Sequence, residues 1–257
     1  MVRGVPPTGG KEQELKQEMP FTLGVDLHGS PVEWEPEKNQ NTLTLTGRHG
    51  AGKTMLADSL MLQALEERHA VVRFDYADRP LPSPLVCSAD YADKDETLDV
   101  LDRTIAEVER RGAYHRTHDS EGSANPRPLM LVFEDLDRLM QSDDKCYLRA
   151  VGRRLDGIAR EIHGLHVYML FVSTEYPTGG PMDWMRILAD SGHVHLGYSP
   201  IEPYVLPSNR EYAVQLLTRM ACHDFQLDPG QGFFEDRFGG MKPIQPVHKI
   251  QKGTDNA

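Results

Sequence analysis

Hydrophobic and polar positions switch between two periods along the chain. Phe21-Thr22-Leu23-Gly24-Val25 alternates, His28-Gly29-Ser30 offers a turn, and Pro31-Val32-Glu33-Trp34 returns, which predicts a hairpin. Thr42-Leu43-Thr44-Leu45-Thr46 predicts a strand that runs into a glycine-rich loop. Over residues 54–68, Met55, Leu56, Leu60, Leu62 and Leu65 predict a helix with a broad apolar side. Residues 71–75 predict a further strand, and Pro80, Pro82 and Pro84 impose an extended segment. Residues 95–111 predict an amphipathic helix and residues 115–127 a polar loop. The unbroken apolar runs at 129–133 and 167–172 predict strands inside a parallel sheet, with a helix over 145–162 between them. Weaker patterns predict helices at 184–189 and 210–221 and a strand at 193–197. Strands that alternate with helices predict an α/β fold: a mostly parallel sheet with helices on both faces. Residues 1–20, charged and poor in apolar partners, predict a flexible N-terminal tail; residues 21–238 form the domain, and residues 239–257 predict a C-terminal tail.

Composition narrows the class. Of 257 residues, 39 % are hydrophobic and 26 % charged, enough for one packed core with a solvated surface. No run approaches the ~18 apolar residues of a membrane helix, and the first ten residues lack a secretory apolar region, so a soluble cytoplasmic protein without a transmembrane segment is expected. Cys87, Cys146 and Cys222 are far apart and predict free thiols. His163 and His166 flank Gly164, where a helix ends, and predict no metal site. A net charge of −11 excludes a protein coated with basic surface, while leaving room for a local basic stripe.

The loop Gly47-Arg48-His49-Gly50-Ala51-Gly52-Lys53-Thr54 fits GxxxxGK[ST], with a strand before it and a helix after it. Its glycines let successive backbone N–H groups face phosphate oxygens, and the helix start adds partial positive charge. This predicts ATP and Mg²⁺ as cofactors: Lys53 on the β- and γ-phosphates, Thr54 as a metal ligand, and residues 47–55, Met55 included, around the nucleotide. A carboxylate is then needed at the metal, and Leu129-Met130-Leu131-Val132-Phe133-Glu134-Asp135 ends a buried strand with two. Usually aspartate, for the metal, precedes glutamate, which polarises the water; here the order is inverted. The first assignment is Glu134 to the metal and Asp135 to the water; the alternative is Asp135 to the metal with Asp137 assisting. An aspartate base is one methylene short unless the backbone shifts. Thr174, after the 167–172 strand, is placed to hydrogen-bond the γ-phosphate. Lys145, Arg149, Arg153 and Arg160 lie near one helix face, either a solvated basic face or a stripe for DNA phosphates or a neighbouring subunit's ATP.

Together these motifs resemble the FtsK/SpoIIIE family of motor ATPases. Leu23-Gly24-Val25-Asp26 with Gly29-x-Pro31-Val32 is similar to the stretch before the family's phosphate loop. Glu107-Val108-Glu109-Arg110-Arg111 resembles E-M-E-R-R, residues 134–140 resemble D-E-F-A-D-L-M, and Gly164-Leu165-His166 with Ser173-Thr174-Glu175-Tyr176-Pro177 resembles G-I-H and A-T-Q-R-P. Gly230-Gln231-Gly232 looks like the family's G-R-G. The resemblance implies a RecA-like P-loop NTPase core in a homo-hexameric ring that translocates double-stranded DNA, and Arg160 best matches the arginine that acts across subunits in relatives. Relatives in type VII secretion move proteins, which implies a membrane or secretion partner as the alternative. A weakly hydrolysing ATP-binding assembly subunit is the third reading. Glu175 where the family has Gln, Tyr176 where it has Arg, and the inverted acid pair are departures.

Overall fold

A computed structural model describes residues 20–26, 28–76, 80–117, 127–174, 187, 191–197, 231–235 and 240–245. Ten strands and five helices are defined among them. The chain opens with the hairpin β1 (Phe21–Val25) and β2 (Pro31–Trp34), antiparallel as the alternation predicts. A single turn, α1 (Pro36–Asn39), leads to β3 (Thr42–Gly47) and α2 (Lys53–Glu66). Then come β4 (Ala70–Asp75), β5 (Cys87–Asp90), α3 (Lys94–Thr117), β6 (Leu129–Phe133), α4 (Leu136–Met140), α5 (Lys145–Glu161) and β7 (Val167–Ser173). The remaining strands are β8 (Gly192–Leu196), β9 (Gly232–Glu235) and β10 (Met241–Ile244). The sheet order is β10-β9-β8-β3-β7-β6-β4-β5. All neighbours from β8 to β5 are parallel; β9 and β10 are antiparallel.

Alternation along the buried strands sorts their side chains to two cores. Leu43 and Leu45 of β3, Met130 and Val132 of β6 and Leu170 and Val172 of β7 meet α2 and the β1–β2 hairpin. Leu131 and Phe133, with Met169 and Phe171, meet α3, α4 and α5 on the other face. The helix α2 buries Leu56, Ala57, Leu60, Met61 and Ala64, and its alanines let it lie close to the sheet. Met55 and Leu62, expected on that side, are instead 54 % and 41 % exposed, because the buried stripe is centred on 57 and 61.

Three elements depart from the sequence reading. Residues 239–257 are not all tail: β10 pairs with β9, Ile244 is buried, and Gln245 exchanges backbone hydrogen bonds with Val25. The proline segment ends in β5, and α3 runs on to Thr117, past the loop expected from residue 115. Four- and five-residue elements such as β5, β10 and α4 carry too little periodicity to be seen. The predicted helix at 210–221, the N-terminal tail up to residue 19, and all of 184–189 except the buried Ile187 lie outside the described residues.

Arg111, near the end of α3, joins two of the motif fragments. Its buried guanidinium donates to Glu107 (2.8 Å), Leu165 O (3.2 Å), His166 O (3.4 Å) and Arg127 O (2.7 Å). It thereby ties the Gly164-Leu165-His166 turn, where His166 has φ 54°, to the start of β6. Arg110 first, and Arg111 after it, hold the Glu107 carboxyl down at about 2. Truncating one partner of such a buried charged network leaves the others unsatisfied, so Arg111→Ala is expected to lower stability by about 3 kcal/mol in urea unfolding. An effect within 0.5 kcal/mol would show that water replaces the clamp.

Candidate functional site

Parallel register brings the site together. Thr46 lies opposite Ser173 of β7 on one side and His195 of β8 on the other, so the strand tips are level where β3 ends. Ligands of open parallel sheets bind at this carboxyl edge. Gly47 is confined there: a Cβ on it would sit 2.7 Å from the Leu196 carbonyl oxygen. The loop then turns through Gly50 at φ 80° and Gly52 at φ 95°, conformations that side-chain-bearing residues rarely adopt. A Cβ on Gly50 would meet nothing within 4 Å. Ala51 is buried and anchors the loop, while Arg48, His49, Thr54 and Met55 are exposed.

The start of α2 fits a phosphate group. Gly52 is its N-cap, no side chain caps it, and its first turn contains no acid. Its first N–H groups thus lack intrahelical and side-chain acceptors, and the end's partial positive charge is not offset by its own sequence. Lys53 Nζ donates to Gly47 O (2.5 Å) and Arg48 O (3.0 Å), which folds the ammonium over the loop. Burial lowers the Lys53 pKa, and the Asp137 and then the Asp135 carboxylates raise it again.

Glu134 and Asp135 part at the end of β6. Glu134 is buried, its N–H bonded to Phe74 O at 2.9 Å, which sets it beside Asp75 of β4. Asp75 is ion-paired with Arg73, and both are buried. Asp135 is exposed, has φ 49°, and is the N-cap of α4. Thr174 follows β7, and its N–H donates to Asp137 Oδ1 at 3.2 Å. Lys53, Thr54, Glu134, Asp135 and Thr174 therefore all stand at one edge of the sheet. Arg160 does not: it is 61 % exposed, paired with Asp156 at 2.6 Å, and lies near the end of α5, towards the opposite edge. At ~1.5 Å per residue, the 17-residue α5 places it roughly 20 Å from the acid-bearing end. Arg149 and Arg153 are exposed and make no ion pair among the described residues, whereas Arg154 is held by Asp102 at 2.8 Å.

Sequence reasoning missed a polar layer under the loop. Thr44 and Ser191 share a hydrogen bond of 2.6 Å, Thr46 and His195 Nδ1 one of 2.9 Å, and His193 stacks on His195 at 5.8 Å. Glu235 of β9 stands 3.8 Å from His195 Nε2. The signal was the i, i+2 spacing of the two histidines in a strand, which puts both on one face.

No protein-family model matches the chain, and no curated protein sequence matches it. Solved structures match in fold. The conjugation coupling protein TcpA of pCW3, determined as a monomer with ATPγS, has a TM-score of 0.68 at 12 % identity, over 95 % of this chain and 71 % of that one. The cytoplasmic domain of the type VII secretion ATPase EccC from Thermomonospora curvata has 0.65 at 16 %, over 88 % of this chain. The cytoplasmic domain of EssC has 0.64 at 16 %, over 96 % of this chain. The fold is that of a RecA-like P-loop NTPase. This chain spans 28 % of the EccC chain and 48 % of the EssC chain. Among the described residues, no helix is long and apolar enough to cross a membrane.

Burial, followed by the neighbouring His195, lowers the His193 pKa to about 4. The unfolded chain binds that proton near 6.5, so this stability contribution is complete above that pH and is lost as pH falls towards 4. Unfolding should therefore show His193 contributing about 2 kcal/mol less at pH 5 than at pH 7, and His193→Gln should remove that slope. An equal slope in the variant would assign it to other groups.

Proposed function

We propose that the chain is an ATP-hydrolysing motor that acts on double-stranded DNA as a homo-oligomeric, hexameric ring in the cytoplasm. The observation that carries the ATPase reading is the meeting, at one sheet edge, of an uncapped helix start and Lys53 with the acid-bearing tip of β6 and the polar tip of β7. Bound ATP with Mg²⁺ would supply the anhydride whose hydrolysis drives movement.

The chain's own groups divide the work. The amides of residues 47–54 and Lys53 bind the phosphates and neutralise their charge. Thr54 and Glu134 would hold Mg²⁺, an ion that takes few protein ligands. Asp135, exposed beside the loop, accepts the proton of the attacking water, and Thr174 contacts the terminal phosphate. Arg160, far from its own loop, serves the neighbouring subunit. Support for DNA as the substrate comes from the likeness to the conjugation coupling protein over nearly the whole chain, and from the exposed Arg149 and Arg153 on a chain of charge −11.

The type VII secretion ATPase EccC among the matched structures favours a second reading, an ATPase that moves protein. Turnover with and without duplex DNA separates the two. The DNA motor is expected to be stimulated several-fold, with stimulation lost between 50 and 200 mM salt as phosphate contacts are screened; salt-independent turnover indifferent to DNA favours the second.

Lys53→Ala is expected to weaken ATP binding by about a hundredfold, read by calorimetry, since it deletes a charge-assisted contact. Glu134→Gln should abolish the Mg²⁺ dependence of ATP binding, whereas Asp135→Asn should leave binding intact and reduce turnover by about a hundredfold. The reverse pattern would exchange the two roles.

A further inference from the structure

Asp137 is the carboxylate that the function above leaves without a task. It lies in the first turn of α4, and the left-handed turn at Asp135 carries it back over the sheet edge. Its Oδ1 accepts from Ser173 Oγ at 3.3 Å and from the Thr174 N–H at 3.2 Å. Ser173 is the register partner of Thr46, the residue before Gly47. A single half-buried carboxylate thus bridges the end of the acidic strand to the tip of β7, beside the root of the phosphate loop. It also outranks Asp135 in raising the Lys53 pKa. In the motif D-E-F-A-D-L-M this position is Ala, so the resemblance gives it no role.

We propose that Asp137 is a positioning residue with two separable effects: its acceptor oxygen fixes the β7 tip that presents Thr174, and its negative charge sets how tightly the loop holds a terminal phosphate. The inference rests on the nucleotide-binding reading above. The two effects follow from different properties of one group. The tether needs only a hydrogen-bond acceptor, so an amide oxygen can replace it. The second effect needs the anion. A carboxylate in the field of Lys53 competes with phosphate for the same ammonium and repels a γ-phosphate more than it affects a nucleotide lacking one. Such repulsion weakens retention of the triphosphate while β7 stays aligned. A tip that is both aligned and electrostatically opposed to the phosphate favours turnover over storage of bound ATP.

The test uses the full chain with Asp137→Asn and Asp137→Ala. Binding of ATPγS and ADP is titrated with Mg²⁺ and with chelator, and hydrogen exchange is followed at the Thr174 amide. In Asp137→Asn, ATPγS affinity relative to ADP is expected to rise about threefold or more under both conditions, with Thr174 exchange unchanged. In Asp137→Ala the same affinity gain should come with Thr174 exchange about tenfold faster, because the acceptor is gone. Where turnover is measurable, kcat and KM should fall together in Asp137→Asn. An unchanged ATPγS-to-ADP ratio in Asp137→Asn overturns the charge effect and leaves a structural tether. Weaker ATPγS binding only when Mg²⁺ is present makes Asp137 a metal ligand and also overturns it. Failure of the unsubstituted chain to bind either nucleotide sinks the nucleotide-binding reading itself, which is read before any variant.

Discussion

The parallel pairing of β3 on both sides is the constraint from which the site follows. With Thr46 level with Ser173 and His195, the chain reaches the sheet edge hemmed in by two strands. The Leu196 carbonyl leaves no room for a side chain at Gly47, so the backbone can leave only by the tight turn through Gly50 and Gly52 into α2. That turn delivers the unsatisfied amides and Lys53 next to the β7 tip and one strand from the β6 acids. A one-residue slip of β7 would turn Ser173 to the other face and withdraw the partner that Asp137 holds.

The same sheet explains why the acid pair splits. Phe133 points to the face shared with α3 and α5, stacked on Phe74 at 4.7 Å and Phe171 at 5.0 Å. The next residue, Glu134, is buried as well. A strand continued by one residue would drive Asp135 into the aromatic layer, where an ionised carboxylate costs many kcal/mol. A left-handed residue costs only about 1–2 kcal/mol, and aspartate tolerates it better than most. The cheaper solution is the one observed, and it places Asp135 in solvent and starts α4. The turn thus sets the two carboxylates of the inverted pair in different surroundings, Glu134 buried and Asp135 exposed.

The fold was legible wherever one element carried a complete local signal. The apolar runs of β6 and β7 and the strand-loop-helix at β3 needed no distant partner to be recognised, and each stands where expected. Elements made by pairing were not legible. β10 contains Lys242 and Pro243 and becomes a strand only because β9 offers an edge. β5 follows three prolines and exposes two of its four residues. At the site, residue types pointed to Lys53, Thr54, Glu134, Asp135 and Thr174, but which carboxylate faces the lysine depends on one backbone angle that no pattern records. The contact of Asp137 with Ser173 and Thr174 and the His193–His195 layer stayed hidden for the same reason: their partners are far away in sequence.

Arg111 gives two of the sequence fragments a structural task. The E-x-E-R-R and G-x-H fragments look like marks of a function, yet here they meet in one joint, a guanidinium that holds the carbonyls of Leu165 and His166 where α5 hands over to β7. That joint fixes the height of β7 in the sheet, and through the register it fixes where Ser173 and Thr174 stand relative to the phosphate loop. The matched structures, at 12–16 % identity, share this fold, while the α5 arginines stand on a surface that the joint does not constrain.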